Sequence, residues 1–179
     1  MRIIAGTLRS RRLKTVEGEG YRPAMGKVRE SLFSMLSSRL GSFEGLDVLD
    51  LFAGSGSLAF EALSRGASRA WFVETAQNAV RCLADRAFIV KADVLKVVRR
   101  VHGAERGMGG PYGLVFLDPP YRRHLAQGAL SGLAECGWLA KGAYVVMEIE
   151  SGLEIDVPAS LSIDTDKLFG QTRIIMMKN

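Results

Sequence analysis

Four consecutive residues, Asp118-Pro119-Pro120-Tyr121, follow a short apolar run and form the most distinctive motif in the chain. The residue before a proline is held extended, and two successive prolines have fixed φ angles and no N–H donor. The Asp118 carboxylate and the Pro119 carbonyl should therefore project as rigid hydrogen-bond acceptors, with Tyr121 as a face for base stacking. Two acceptors beside an aromatic plate can hold both hydrogens of a planar –NH2 group and aim its lone pair at a methyl sulfonium. The motif predicts methyl transfer to an exocyclic amine, and the alternative is a Pro-Pro turn that ends a strand.

A glycine-rich segment, Asp50-Leu51-Phe52-Ala53-Gly54-Ser55-Gly56, predicts a nucleoside cofactor. Gly54 and Gly56 permit a tight turn with no Cβ between backbone and ligand, and the N–H groups that open the next helix can face an anion. Glu74, at the end of the next predicted strand, can accept hydrogen bonds from both ribose hydroxyls. These features do not separate S-adenosylmethionine from NAD, because Gly54-x-Gly56-x-x-Ala59 also matches the dinucleotide fingerprint.

Asp93 follows the third predicted strand and has two interpretations. A carboxylate there can accept a hydrogen bond from an adenine amino group, or it can cap the next helix, and the sequence leaves both open. The predicted cofactor-binding residues are Asp50, Phe52, Gly54, Ser55, Gly56, Glu74, Asp93 and Val94.

The elements that must position these residues alternate along the chain. Apolar strands alternating with helices indicate an α/β fold with a mostly parallel sheet covered on both faces. Such sheets bind ligands at the carboxyl ends of their strands, where all four segments fall. The predicted strands are 46–51, 69–74, 87–91, 113–117 and 143–148; the predicted helices are 25–40, one ending near 65, 76–84, 94–102 and 125–136; two final strands near 161–164 and 173–177 form an antiparallel hairpin.

The first 29 residues carry the excess positive charge. They hold eight basic and two acidic residues, a net charge of +6, whereas the other 150 hold 16 basic and 17 acidic. Residues 2–5 and 11–16 should form a basic hairpin, and the glycine-rich connector 17–23 marks a boundary between an extension, 1–22, and a main domain, 23–179. A basic segment on a near-neutral body predicts a nucleic-acid partner, the alternative being a solvated basic face. The predicted RNA-binding residues are Arg2, Arg9, Arg11, Arg12, Lys14, Arg22, Arg29, Arg122 and Arg123, the last two beside the motif.

Composition excludes several classes of protein. No apolar run approaches the length of about 20 residues that spans a bilayer, and the start of the chain does not resemble a signal peptide, so we expect a cytoplasmic protein. Neither His102 nor His124 has a second ligand at metal-binding spacing, and we predict no metal site. Cys82 and Cys136 are expected to be reduced thiols.

The motifs together resemble class I amino-methyltransferases, and three further segments resemble one family of them. These are Met1-Arg2-Ile3-Ile4-Ala5-Gly6 with Arg11-Arg12-Leu13, then Arg22-Pro23 with Val28-Arg29-Glu30-Ser31-Leu32-Phe33, and Phe169-Gly170-Gln171-Thr172. They look like the bacterial 16S ribosomal RNA guanine-N2 methyltransferase family, RsmD, and the resemblance runs nearly end to end. Asp-Pro-Pro-Tyr is shared with DNA adenine methyltransferases, so the N-terminal segments are the specific ones.

The resemblance implies a Rossmann-like, seven-stranded methyltransferase sheet with a small N-terminal hairpin that helps to hold RNA. It implies S-adenosylmethionine as cofactor and S-adenosylhomocysteine as product, with Asp118, Pro119, Pro120 and Tyr121 at the target base. It also implies action on 16S ribosomal RNA within the small subunit. We expect the protein to be a monomer. The chain departs from the family at Phe169, where a tyrosine is expected, and in the short crossover that follows Glu74.

Two other activities remain open on the residues themselves. A DNA adenine-N6 methyltransferase would share the motif, but 179 residues leave little room for a DNA-recognition domain. A nicotinamide-dependent oxidoreductase would share the glycine-rich loop but would leave Asp118–Tyr121 and the basic segment unexplained. A non-catalytic RNA-binding module is disfavoured by the intact motif.

Overall fold

A seven-stranded sheet forms the centre of the computed structural model, which describes residues 1–13, 24–75, 85–103, 107–120 and 123–179. The strand order is β3-β2-β1-β4-β5-β7-β6. β1 to β5 run parallel, and β7 is antiparallel to both β5 and β6. The predicted sheet and its C-terminal hairpin are confirmed. The elements are α1 (Ala24–Leu40), β1 (Asp47–Leu51), α2 (Ser57–Ser64), β2 (Arg69–Glu74), β3 (Ala87–Lys91), α3 (Val94–Val98), β4 (Tyr112–Leu117), α4 (Arg123–Glu135), β5 (Leu139–Glu150), β6 (Ser162–Phe169) and β7 (Thr172–Lys178).

Side chains of the central strands alternate between two hydrophobic clusters. Leu117 and Met147 belong to the cluster that includes α3 and α4. Phe116 and Val146 belong to the cluster that includes α1 and α2. This continuous apolar packing on both faces explains why the strands read as unbroken apolar runs.

Three elements differ markedly in length from the prediction. β6 runs to Phe169, beyond the predicted end near 164, because it pairs with β7 as far as Thr172. Helix α3 ends at Val98, not near 102, because the Trp138 indole N–H lies within hydrogen-bonding distance of the Val98 and Arg100 carbonyls, 3.1 and 3.0 Å away. β5 begins at Leu139 because that residue pairs with Tyr112 before a shift in register. The predicted helix 76–84 lies outside the described residues.

The N-terminal hairpin is present but is not a regular two-stranded ribbon. A single antiparallel bridge joins Arg2 to Arg12, so the predicted strand 2–5 is wrong, and 14–16 lie outside the description. The backbone is held instead by α2, where the buried Glu61 carboxylate accepts hydrogen bonds from the N–H groups of Ile4 (2.7 Å) and Ala5 (3.0 Å). The division into an extension, 1–22, and a main domain, 23–179, stays a prediction.

Gly6 shows how closely the hairpin approaches α2. Its φ is +83°, and a Cβ there would lie 1.8 Å from the Ser64 carbonyl oxygen. The Thr7 N–H donates to that same oxygen at 2.8 Å. Contacts of this kind fix the hairpin on the sheet's helical layer. Within the described ranges, no helix is both long and apolar enough to cross a membrane.

Candidate active site

The carboxyl ends of the parallel strands surround a cleft of about 550 Å³. A cleft of this size lies in the range of small-molecule and cofactor sites. Four of the predicted cofactor residues lie on its wall: Phe52, Glu74, Asp93 and Val94. The full lining is Phe52, Glu74, Thr75, Asp93, Val94, Leu95, Asp118, Pro119, Pro120, Leu125, Glu148, Ile149 and Thr172.

The loop between β1 and α2 reverses the chain through left-handed backbone. Phe52, Gly54 and Gly56 have φ angles of 60°, 51° and 69°. A Cβ on Gly56 would lie 2.7 Å from Cε1 of Phe72, so a glycine there also lets α2 pack against β2. A positive φ is costly for a bulky residue, and Phe52, which lines the cleft, is held there by the surrounding turn.

Glu74 ties the end of β2 to this loop. Its carboxylate accepts hydrogen bonds from the N–H of Gly54 at 3.0 Å and from the N–H of Thr75 at 2.7 Å. The carboxylate is thus fixed at the cleft wall, at the position from which a strand-end acid can face a ribose diol. The acid predicted from its strand-end position lies at the predicted place.

The two interpretations of Asp93 are both compatible with its position. One carboxylate oxygen accepts from the Lys96 N–H at 3.1 Å and caps α3. The same side chain lines the cleft beside Val94 and Leu95, whose apolar surfaces suit an adenine ring. A contact of Asp93 with adenine stays a prediction.

Asp50 lies beneath the loop and does not line the cleft. It is buried, and its carboxylate accepts from the Ala59 N–H in α2 at 3.3 Å. Burial raises the pKa of Asp50 well above its usual value; the Ala59 N–H opposes this, and the charges of Asp118 and Glu74 add to it. Gly54, Ser55 and Gly56 are likewise absent from the cleft wall, and their predicted cofactor contacts stay predictions.

Asp118 has a neighbour that the sequence did not reveal, Glu148. In the register of β4 and β5, Leu117 pairs with Met147, so the next residues, Asp118 and Glu148, lie side by side. Both are half-buried. Burial raises the pKa of Asp118 to about 8 with a further contribution from Glu148, and burial also raises the pKa of Glu148.

A second cavity of about 190 Å³ opens on the other side of this carboxyl pair. It shares Asp118, Glu148 and Thr172 with the cleft, so the two spaces meet at the pair. Its remaining walls come from the N-terminus, α1, the start of α2 and the β6–β7 turn. They are Met1, Val28, Arg29, Leu32, Ser57, Leu58, Phe169, Gly170 and Gln171.

The predicted basic residues have different environments. Arg2, Arg9, Arg11 and Arg12 are exposed on the hairpin. Arg29 is 8% exposed, and its Nη2 donates to the Arg2 carbonyl at 2.6 Å, so it braces the hairpin and is not presented as a free surface cation. Tyr121, Arg122, Lys14, Arg22 and the side chain of Arg123 lie outside the described residues.

Sequence reasoning treated Glu148 as the end of a strand. The adjacency of β4 and β5 in the sheet could have revealed this role. Glu148 follows five apolar residues of β5 and therefore lies beside the motif that follows β4. Phe169 and Thr172 were noted as part of a motif but not placed at the site. Within the described ranges, no group of three or more side chains is arranged to hold a metal ion.

Comparison with known proteins identifies the family to which the chain belongs. A family model described as conserved hypothetical protein 95 matches residues 1–178. The ribosomal RNA small subunit methyltransferase D of Escherichia coli is 38% identical over 174 residues, which cover 96% of this chain and 86% of that protein. The chain belongs to this RsmD family of methyltransferases.

Solved structures support the methyltransferase fold of this RsmD family member. An Escherichia coli protein described as a methyltransferase has a TM-score of 0.83 at 33% identity, over 99% of this chain and 97% of that one. A magnesium protoporphyrin IX methyltransferase from Synechocystis, with bound S-adenosylmethionine, has a TM-score of 0.62 at 16% identity, over 90% and 86% of the two chains. At that identity the likeness shows the fold alone. The predicted family and the class I methyltransferase fold are confirmed.

Proposed function

We propose that this protein transfers a methyl group from S-adenosylmethionine to the exocyclic N2 of a guanine in 16S ribosomal RNA of the small subunit. Membership of the RsmD family supports methylation of ribosomal RNA. The observation that carries the reaction is the position of Asp118 where the two cavities meet, with Pro119 next to it in the wall of the larger cleft. This position lets a base on one side receive a group from a cofactor on the other.

The larger cleft fits the cofactor. Glu74 offers fixed carboxylate oxygens to a ribose, and Val94 and Leu95 offer apolar surface to an adenine ring. Asp93 lies beside them as an acceptor for an adenine amino group. When bound, S-adenosylmethionine supplies an electrophilic methyl group on a positively charged sulfur. Five acidic residues lining or underlying the cleft suit that charge: Asp50, Glu74, Asp93, Asp118 and Glu148.

The chain's own residues position the nucleophile. An exocyclic amine attacks poorly because its lone pair is delocalised into the ring. The Asp118 carboxylate and the Pro119 carbonyl accept its two hydrogens, which favours a pyramidal nitrogen and stabilises the positive charge that develops there. Bound S-adenosylmethionine would supply the methyl group, and the Asp118 carboxylate would take up the N–H proton that the amine loses as it is methylated.

The smaller cavity is the proposed site of the target base. Phe169 provides an aromatic surface and Leu32 and Leu58 provide apolar walls, which suit a planar base. A base within a helix must leave its stack to enter such a cavity. The exposed arginines of the hairpin lie on the element that supplies Met1 to the cavity wall, so the same element can hold the RNA backbone.

The proposal is tested with methyl-labelled S-adenosylmethionine and small ribosomal subunits that lack base modifications. Mass spectrometry of the digested RNA should find labelled N2-methylguanosine. The yield should fall about 100-fold or more in Asp118→Ala, because a charge-stabilising acceptor is lost from the transition state.

A different product would overturn the substrate assignment. If the RNA stays unlabelled and DNA supplied instead yields N6-methyladenine, the fold and cofactor stand while the target is wrong. Hydride transfer with NAD in place of methylation would overturn the reaction as well. The expectations of a monomer and of a cytoplasmic location remain predictions, which a sedimentation measurement and cell fractionation would check.

A further inference from the structure

Glu148 lies beside Asp118, the predicted catalytic carboxylate, on the neighbouring strand. Alternate residues of a strand share a face, so Asp118 follows Phe116 and Glu148 follows Val146 on the face that packs against α1 and α2. That face is also where the smaller cavity lies. The cavity therefore has two neighbouring carboxyl groups in its wall, one on β5 and one directly after β4.

Neither carboxyl group has a hydrogen-bond donor from any described part of the chain, and an unpaired carboxylate in a partly buried site is costly. By contrast, other buried acids here are satisfied: Glu61 accepts from Ile4 and Ala5, and Asp50 accepts from Ala59. Glu148 thus keeps open acceptor sites at a cavity wall, which points to donors on a ligand.

We propose that Glu148 accepts a hydrogen bond from the N1–H of the target guanine, while Asp118 and Pro119 hold the hydrogens on N2. This inference rests on the proposed function and makes Glu148 a residue that determines base specificity. On guanine, N1–H is the donor adjacent to the N2 amino group. On adenine, the atom adjacent to the N6 amino group is an unprotonated N1, whose lone pair would face the carboxylate.

The arrangement explains how one motif can serve two kinds of target. Asp118 and Pro119 recognise an amino group, which guanine and adenine both possess. The third acceptor, Glu148, recognises the neighbouring ring atom, which differs between them. A site with a polar group aimed at a substrate donor rejects an analogue that lacks the donor, because its own group is left unpaired.

The test compares two bases at one position of the RNA. Once the methylated guanine has been mapped, small subunits are reassembled with RNA that carries either guanine or 2,6-diaminopurine there. Diaminopurine keeps the 2-amino group but has an unprotonated N1. The wild-type protein should methylate guanine with a kcat/KM about 10- to 100-fold above that for diaminopurine, the range expected for one hydrogen bond to a charged group.

Glu148→Gln should reverse or abolish this preference. Its amide can donate to the diaminopurine N1, so activity on that base should rise while activity on guanine falls. Removing the charge beside Asp118 affects both substrates alike, so the ratio of the two kcat/KM values isolates the contact with N1. Activity on diaminopurine also shows that the variant is folded. Glu150→Gln is the matched control, since Glu150 is exposed on the same strand and lines neither cavity.

Each outcome decides the question. A lost or inverted preference in Glu148→Gln, with the wild-type preference kept in Glu150→Gln, supports the role. An unchanged preference in Glu148→Gln, while the wild-type protein still makes N2-methylguanosine, overturns this inference alone. If the wild-type protein makes no N2-methylguanosine, the proposed function fails and the role of Glu148 fails with it.

Discussion

At the scale of single residues, the two carboxyl groups proposed to act on the base also lower the stability of the fold. Asp118 and Glu148 are carboxyl groups placed side by side in partial burial, and burial raises the pKa of both. Charged groups nearby include Asp50 on β1 and Arg29 on α1, which lines the same cavity as the pair. A folded protein keeps such a pair where it is needed for a ligand, since the fold alone would be more stable without it.

Replacing Asp118 by Asn should therefore stabilise the protein while it removes activity. The folded-state pKa of Asp118, about 8, lies above the ordinary value of 3.8. The wild-type protein then loses stability as pH rises from about 4 to about 8, because the folded state resists giving up its proton. Asn has no proton to lose, so the advantage of Asp118→Asn should be small at pH 5 and larger at pH 8.5.

Thermal melting at those two pH values checks this prediction. The extra stability of Asp118→Asn over the wild type should be larger at pH 8.5 than at pH 5 by at least about 1 kcal/mol. This corresponds to a difference of about 2–4 °C in melting temperature for a chain of this size. Glu150→Gln, which changes an exposed carboxyl on β5, serves as the control. If Asp118→Asn is less stable than the wild type at pH 8.5, the buried charge of Asp118 does not destabilise the fold and the prediction is wrong.

At the scale of elements, packing against β2 constrains the turn between β1 and α2. Gly56 and Gly41 have the same φ of 69°, but only Gly56 has close neighbours at the position of a Cβ. The pair therefore separates the cost of left-handed backbone from the cost of a steric clash.

Gly41→Ala should lose about 1 kcal/mol, the backbone cost alone. Gly56→Ala should lose about 3 kcal/mol or more, because its Cβ would also press on Phe72 and Phe60 and displace the loop. Urea denaturation measures the loss of stability in each variant. Calorimetry with S-adenosylmethionine should show weakened binding in Gly56→Ala and unchanged binding in Gly41→Ala. Equal losses of stability in the two variants would contradict the packing argument.

At the scale of the whole molecule, one anchored hairpin places exposed arginines on the element that borders the smaller cavity. Glu61 and Ser64 of α2 hold the hairpin backbone, and Arg29 of α1 donates to it as well. The hairpin therefore has a fixed position beside the smaller cavity, to which it contributes Met1. Exposed cations on such an element can orient RNA relative to the reacting carboxylates.

Changing Arg9, Arg11 and Arg12 together to Gln should weaken RNA binding and its dependence on salt. Each lost phosphate contact should reduce the slope of log K against log salt concentration by about 0.7 to 0.9. The control changes Lys141, Lys167 and Arg99 to Gln, which removes the same charge from exposed places elsewhere. Binding of S-adenosylmethionine should be unaffected in both. Identical slopes in the two triple variants would mean that net charge alone, and not the hairpin, attracts the RNA.

The sequence by itself determined the features that depend on local pattern. Apolar runs and their alternation with helices predicted β2 and β3 to the residue. Burial of β2 on both faces of the sheet leaves a direct trace in its composition, whereas β3 is a partly exposed edge strand that still has an apolar, β-branched run. The rigidity of Asp118-Pro119-Pro120 follows from the covalent geometry of proline. The excess positive charge of residues 1–29 follows directly from the residue types in that segment.

The tertiary structure decided which distant residues meet. Glu148 lies beside Asp118 because β4 and β5 are neighbours in a particular register, which the spacing along the chain does not specify. Trp138 ends α3 through a contact that crosses from one element to another. Arg29 looks like a surface cation in sequence, yet its guanidinium is buried against the hairpin. Such contacts join residues far apart in the chain, and their partners are fixed only when the sheet and its two helical layers have packed.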